Sequence, residues 1–363
     1  MKLLVILLIV VSSVQIAWSV NCSIESFEYA PSIADEFCVL KGLKTDVATA
    51  GNKLTDPSIT RVAIENSSLN RLTAAFYERF PRLEHLIVRD NGLEQLHITG
   101  NVRIIDASGN KIKSVTVQGG GSLRELNLRN NPISDISPIS RLVGLTKLNL
   151  GNSSIKEDPF SFDLTLLCHL TNLTELIFDE LDIFYLDNTR NCTLPNLRVL
   201  DLSRNSFIHF NFKLDLFRNM PKLEVILLRN CLVSNPIVQF EELRSDFPSL
   251  KKIYLEGNRF TCSFLSELLA HLKANGIEPV EPEQSEFCDE RFRHVANMCC
   301  DPLNVSPSDT KAGITTAQML EEMDWLAKLQ LAHRNLKRVV TAHLDNMRKK
   351  NILLSLFDRF NSR

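Results

Sequence analysis

Between Ile59 and Phe260 one nine-residue phrase, Leu-x-x-Leu-x-Leu-x-x-Asn followed by x-Leu, recurs nine times. Its clearest copy is Leu123-Arg124-Glu125-Leu126-Asn127-Leu128-Arg129-Asn130-Asn131-Pro132-Ile133. The others begin at Ile59, Leu83, Val102, Leu145, Leu173, Leu197, Leu223 and Leu250, so the nine copies follow one another in steps of 24, 19, 21, 22, 28, 24, 26 and 27 residues. The first, fourth and sixth positions must face a core that no single copy can close, so the copies have to stack. A ninth-position Asn (Asn91, Asn110, Asn131, Asn205, Asn258) suits a chain that turns sharply off a strand and leaves backbone groups to be satisfied. Ser67, Ser153, Leu181 and Cys231 stand there in the other copies, which predicts an incomplete ladder of Asn hydrogen bonds.

Phrase and spacing together are those of leucine-rich repeats. The expected fold class is therefore α/β: a leucine-rich-repeat solenoid, or horseshoe, with N- and C-terminal disulfide caps, followed by a C-terminal α-helix able to form a coiled coil. The boundaries read as 1–19 signal peptide, 20–58 N-terminal cap, 59–260 solenoid, 261–300 C-terminal cap with a Cys pair, 301–313 linker and 314–358 helix.

Met1–Ser19 carries one early charge, Lys2, then an apolar run from Leu3 to Val11, and ends Ala17-Trp18-Ser19. Small residues at the −3 and −1 positions fit a secretory signal cleaved before Val20. No later stretch reaches 18 apolar residues, so no membrane span is expected. Nine cysteines suit an oxidising, extracellular compartment. So do six glycosylation sequons, at Asn21, Asn66, Asn152, Asn172, Asn191 and Asn304. A cysteine beside Asn21 and Asn191 hinders modification there, leaving Asn66, Asn152, Asn172 and Asn304 as the expected sites.

The net charge of −2 gives no basis for nucleic acid as a partner. It divides unevenly: ten Lys/Arg against five Asp/Glu from Lys311 onward make the tail +5, which with Lys2 leaves Val20–Thr310 at −8.

Cys22 and Cys38 precede the repeats and are expected to bridge within the first cap. Cys168 and Cys192 each lie five residues before a phrase, at Leu173 and Leu197. Equivalent positions of stacked repeats lie about 4.8 Å apart, which a disulfide tolerates. An inter-repeat Cys168–Cys192 staple follows. Cys231 faces inward and reads as a buried free thiol. Cys262, Cys288, Cys299 and Cys300 can form two internal bonds, or one internal bond plus a bond to another chain; strain disfavours a bond between the adjacent pair.

The convex side offers room for a helical turn at about Phe160–Leu170 in the longest repeat. The middle column of the concave face reads Ala63, Ile87, Asp106, Asn127, Asn149, Ile177, Asp201, Leu227 and Tyr254. It has no aromatic row for sugars or bases and no stripe of one charge sign. No catalytic constellation or cofactor motif is legible: the eight His are scattered without metal-ligand spacing, and Gly119-Gly120-Gly121 is not followed by a phosphate-loop Lys. The chain reads as a non-enzyme with no cofactor.

After Pro307, Thr315-Thr316-Ala317-Gln318 offers a capping box, and from there to about Asp358 there is neither Gly nor Pro. A helix of some 40 residues, about 60 Å long, is expected. Met319, Met323, Leu326, Leu329, Leu336, Val340, Leu344, Met347 and Leu354 form an apolar stripe, interrupted by Gln330, His333, Lys337 and Asn351. Such a stripe needs a partner surface: a coiled-coil partner is the expected one, and the solenoid of the same chain, on which the helix would fold back, is the alternative.

Signal peptide, repeats, a cap ending in Cys299-Cys300 and a C-terminal helix, in that order, resemble the leucine-rich-repeat immune proteins of mosquitoes. The resemblance implies circulation in haemolymph and a disulfide-linked homo- or heterodimer with another leucine-rich-repeat protein, made through Cys299 or Cys300; within the cap itself, Cys262–Cys288 is the internal bond expected. It also implies binding to a complement-like thioester protein, with the helix Met319–Leu354 as the partner-binding element. The expected function is thus a secreted, non-enzymatic humoral immune scaffold. The alternative is an extracellular adhesion or receptor-ligand protein without an immune role.

Overall fold

A computed structural model describes residues 22–44, 58–133, 135–153, 155, 161–207, 212–234, 237 and 240–302. The signal peptide, most of the linker and the C-terminal helix, with Met319–Leu354, lie outside these residues, as do Asn21 and Asn304.

An antiparallel hairpin opens the described chain, with strands β1 (Ser23–Ala30) and β2 (Ile33–Lys41). Each phrase then contributes one strand to the concave face: β3 (Arg61–Glu65), β4 (His85–Ile87), β5 (Ile104–Asp106), β6 (Glu125–Asn127), β7 (Lys147–Asn149), β8 (Glu175–Ile177), β9 (Val199–Asp201), β10 (Val225–Leu227) and β11 (Lys252–Tyr254). The strand β12 (Glu278–Val280) closes a 12-stranded sheet whose spatial order follows the chain. Pro279 sits in this last strand, where a missing N–H leaves no ladder broken and blunts the edge. From β2 onward the pairing is parallel and joins equivalent positions, so that Leu126, Leu148, Leu176, Leu200, Ile226 and Ile253 stack in one file. These fourth-position residues are buried, and so are the first- and sixth-position residues beside them, such as Leu123 and Leu128.

Repeat length decides what lies on the convex side. The short repeats must round the coil with few residues, and a strand advances about 3.3 Å per residue against 1.5–2.0 Å for helices. The repeats starting at Leu83 and Val102 accordingly use strands Gln95–Gly100 and Ser114–Gly119, paired parallel. The longest repeat has residues to spare and winds a 3-10 turn at Leu164–Leu167, inside the span expected to be helical.

The Asn ladder forms as the phrase requires. Asn205 Oδ1 accepts from the backbone N–H of Leu181 and of Ile183, both at 3.1 Å, while its Nδ2 donates to the carbonyls of Phe178 and Leu202. Asn91, Asn110, Asn131 and Asn258 repeat the theme. The ladder thins as expected, but not uniformly. Ser153 Oγ and Cys231 Sγ each still donate to a carbonyl of the preceding repeat, Leu128 O at 3.2 Å and Leu202 O at 3.1 Å. Leu181 has no polar atom to offer. Where Oδ1 is missing the orphaned N–H bends back locally: Ile133 N–H donates to Asn131 O and Ile155 N–H to Ser153 O.

The eighth position of every repeat adopts a left-handed backbone, with φ from 49° to 72° at Asn66, Asp90, Gly109, Asn130, Asn152, Glu180, Arg204, Asn230 and Gly257. Asn, Asp and Gly tolerate this conformation best. Seven of the nine comply; Glu180 and Arg204, in consecutive repeats, do not. At Gly109 and Gly257 a Cβ would also lie 1.9 Å from Asp90 Oδ1 and 2.0 Å from Asn230 Oδ1, so those side chains would have to move aside.

The C-terminal cap is the helix Cys262–Ala274, whose Leu265, Leu268, Leu269 and Leu272 cover the raw end of the core. Thr261 caps it by accepting from Phe264 N–H at 3.3 Å, and Gly276, at φ +69°, ends it. A hairpin of β13 (Arg293–Val295) and β14 (Met298–Cys300) follows.

Candidate protein-binding face

The concave face is two surfaces, and the N-terminal hairpin divides them. Only the last four residues of β2, Cys38–Lys41, pair with β3. The rest of the hairpin lies over the sheet, where Phe27, Tyr29 and Phe37, together with Val39 of the paired segment, close a second, small core against Ala63 and Ile87. Ala63 and Ile87 are 0% and 1% exposed, although both belong to the middle column that the sequence places on the open face. The cause is plain: Phe27 and Tyr29 on β1, and Phe37 and Val39 on β2, stand two residues apart on one face of the hairpin, and that apolar face needs a surface to cover. Tyr29 and Phe37 each set their rings 5.0 Å from the His85 ring, edge on. Burial, aided by the charges of Arg61 and Arg89, pushes the His85 pKa down to about 4. Arg89 donates to Tyr29 O and pairs with Asp106 at 2.8 Å, tying the hairpin to the sheet. Cys22–Cys38 anchors its base, with Cα atoms 5.1 Å apart.

Beyond the hairpin the middle column is half-exposed. Asp106, Asn127, Asn149 and Asp201 turn their side chains onto the backbone N–H two residues on, at 2.9–3.1 Å. These Asx turns set up the left-handed rim, so the polar members of the column serve the backbone first. The apolar members are not used in this way. Ile177, Leu227 and Tyr254, with Val199 and Val225 from the neighbouring column, form a half-exposed apolar area over β8–β11. Arg229 lies over the Tyr254 ring at 4.2 Å and pairs with Glu256. Burial raises the Glu256 carboxyl above its usual range.

A charge cluster marks the rim in the same half. Asp179 is 3% exposed and accepts from Arg129 and from Arg204, the latter at 2.7 Å. Arg129 also reaches Glu180 at 2.9 Å, and Arg204 reaches it at 3.5 Å. Arg129 spans a whole repeat to do so, passing Gly151, where a Cβ would stand 2.1 Å from Asp179 Oδ1 and 2.2 Å from Arg129 Nη1. Glu180 and Arg204 are the two exceptions at the left-handed eighth position, so ion pairing holds a backbone their residue types disfavour.

Cys168 and Cys192 are bonded across consecutive repeats with Cα atoms 5.2 Å apart. Cys231 is free and buried, and burial pushes its thiol up to about 12. The C-terminal pairing differs from the expectation. Cys262 joins Cys300 and Cys288 joins Cys299, so the Cys262–Cys288 bridge does not form and neither Cys299 nor Cys300 is left over for a second chain. Adjacent strand residues point to opposite faces. Cys300, 1% exposed, meets the helix N-terminus, while Cys299 points outward to the loop bearing Cys288.

The four described sequons occupy two rims. Asn66 and Asn152 share the eighth position, and Asn152 donates to Asn130 Oδ1 at 2.8 Å. Exposed Asn172 lies on the opposite rim and donates to Val143 O at 2.9 Å, and Asn191 is exposed beside Cys192. Among the described residues no helix is long and apolar enough to cross a membrane.

The family model for leucine-rich repeats (2 copies) matches residues 122–162. Mouse (Mus musculus) lumican is 26% identical over 250 residues, 61% of this chain and 73% of lumican. Toll-like receptor 2 of Cricetulus griseus is 25% identical over 255 residues, 65% of this chain and 30% of the receptor. The crystal structure of the LRIM1/APL1C complex contains a chain that superposes with a TM-score of 0.55 at 20% sequence identity, covering 87% of this chain and 59% of that one. The chain thus spans less than two thirds of the LRIM1/APL1C chain and under one third of the receptor. The protein is a leucine-rich-repeat solenoid with disulfide-bonded caps, sharing its fold with a chain of the LRIM1/APL1C complex.

Proposed function

We propose that this protein is a secreted, non-enzymatic recognition scaffold of humoral innate immunity, related to the leucine-rich-repeat immune proteins of mosquitoes, which takes a protein partner on the C-terminal half of its concave face. The observation that carries the reading is the contrast along one column: Ala63 and Ile87 are sealed by the chain's own hairpin, while Ile177, Leu227 and Tyr254 are left open beside Val199 and Val225. An apolar centre holding an aromatic residue and an Arg, rimmed by charge, is the composition of a protein interface. The LRIM1/APL1C structure is a complex, which supports another leucine-rich-repeat protein as one partner. Such pairing would be non-covalent, since the C-terminal cysteines close internally. The apolar stripe Met319–Leu354 would then serve as a coiled-coil element, and a complement-like thioester protein is the second partner we propose. Haemolymph is the proposed location, with glycans at Asn66, Asn152, Asn172 and Asn304 on the secreted form.

A second reading, an extracellular adhesion or receptor-ligand protein with no immune role, is favoured by the likeness to lumican. Transcript level after bacterial or parasite challenge separates the two. Induction is expected for the immune scaffold, and an unchanged level would favour the adhesion reading.

A further inference from the structure

Four disulfides lie among the described residues, and three of them each contain one inaccessible cysteine: Cys38, Cys192 and Cys300 are 1%, 2% and 1% exposed. Cys288–Cys299 is different, because both of its residues are half-buried and reachable. It is also the bond with a titratable side chain at its sulfur. His294, exposed on β13, places Nε2 3.1 Å from Cys288 Sγ and 2.8 Å from the carbonyl oxygen of Glu286. A carbonyl oxygen can only accept, so Nε2 carries the hydrogen in this arrangement and presents it to both the carbonyl and the sulfur. Near the other end of the bond a Glu286 carboxylate oxygen accepts from the Cys299 backbone N–H at 2.7 Å, so a negative charge stands beside that residue.

Those two contacts make the bond asymmetric towards nucleophiles. Thiol–disulfide exchange needs an attacking thiolate, an accessible sulfur and a leaving sulfur that can carry negative charge. An N–H donor beside Cys288 favours a thiolate there, and a carboxylate beside Cys299 disfavours one at that end. We propose that Cys299 is a site of reversible S-thiolation by small aliphatic thiols. In the step, a thiolate RS⁻ attacks Cys299 Sγ, the new RS–S(Cys299) bond forms as the Cys288–Cys299 bond breaks, and the electron pair leaves on Cys288 Sγ, held by His294 Nε2–H. Nothing is oxidised or reduced overall, and the reverse step restores the native bond. The surrounding loop carries Glu281, Glu283, Glu286, Asp289 and Glu290 against Arg291 and Arg293, so a cationic thiol is the favoured class.

Opening this bond leaves the cap standing. Cys262–Cys300 still ties β14 to the helix, and Glu286 N–H to Asn297 O at 2.9 Å and Ser285 Oγ–H to Asn297 Oδ1 at 2.9 Å still hold the loop to the hairpin.

The test is to incubate the full oxidised protein with cysteamine, block free thiols with N-ethylmaleimide and map non-reduced tryptic peptides. Arg291 and Arg293 separate Cys288 from Cys299. Cysteamine should be found on the peptide containing Cys299 and maleimide on that containing Cys288, with the other three disulfides intact. His294→Ala should slow the exchange about tenfold and level the adduct between the two cysteines, as loss of a charge-assisted hydrogen bond implies. His294→Gln keeps a side-chain N–H and should retain part of the rate and the bias. Adduct on Cys288, earlier opening of another disulfide, or equal rates for wild type and both variants would overturn the proposal.

Discussion

Ile87 and Leu227 occupy the same position of the same repeat phrase, on strands of the same sheet, and meet opposite fates. Ile87 is 1% exposed beneath Phe37 and Tyr29, whereas Leu227 stays half-exposed between Asp201 and Tyr254. An apolar residue on a solenoid's concave strand is therefore not by itself a sign of a ligand. What decides is whether the chain supplies its own cover, and here it does so for the first strands alone. The sealed end behaves as core and the open end as surface, and they should answer mutation accordingly.

The largest expected effect breaks the seal. Phe37→Ala removes a fully buried ring from the small second core and should destabilise the protein by about 3–5 kcal/mol, with exchange protection lost first over β1–β4. Tyr254→Ser at the open end should change stability by less than about 1 kcal/mol. Denaturant unfolding of the two variants checks the pair; equal losses would mean the halves are alike.

The staple between the halves comes next. Cys168 and Cys192 close a loop of 24 residues, and the chain-entropy account assigns about 3 kcal/mol to a loop of that size. Cys168→Ala should lower the melting temperature with little effect on secretion. Non-reducing peptide mapping of the wild type should find neither cysteine free.

The sealed end should also sense acid. With its folded pKa near 4 against 6.5 unfolded, His85 stays neutral while the unfolded chain takes a proton. Its contribution is intact above pH 6.5 and is lost progressively as pH falls from 6.5 towards 4, reaching about 2–3 kcal/mol. His85→Gln should flatten stability across that window, measured as the difference between the two pH–stability curves.

The smallest effect concerns the ladder. Leu181→Asn places an Oδ1 where Ile155 N–H now bends back to Ser153 O, but gives up a mostly buried side chain, so stability should change by about 1 kcal/mol or less. Asn205→Leu should cost about 2 kcal/mol or more by orphaning Leu181 N–H and Ile183 N–H. Thermal unfolding of both variants ranks them.

The solenoid was legible because its causes are local and periodic. The phrase names every core file, and the shared offset of Cys168 and Cys192 names the staple. The left-handed rim has a trace outside the phrase, Asn, Asp and Gly recurring at the eighth position, although that signal weakens at Glu180 and Arg204. The hairpin's seal over Ala63 and Ile87 was not, because it comes from outside the repeats and their own pattern carries no trace of it. The alternation of Phe27, Tyr29, Phe37 and Val39 was the available clue. In the C-terminal cap, strand alternation gives Cys299 and Cys300 opposite directions, but not which of Cys262 and Cys288 awaits on each side. That depends on where the helix docks.

If the open half of the concave face holds a protein partner, a charge placed at its centre should release that partner. Leu227→Lys tests it most directly, since the new ammonium lies beside Asp201 on the adjacent strand and should leave the fold undisturbed while removing the apolar contact. The measurement is the affinity of wild type and variant for a haemolymph protein retained by the wild type, read by surface plasmon resonance alongside the melting temperature. At least about a tenfold loss of affinity is expected, with an unchanged melting temperature, as burial at an interface centre implies. Unchanged affinity in Leu227→Lys and in Val199→Lys alike would contradict it and move the partner site off the concave face.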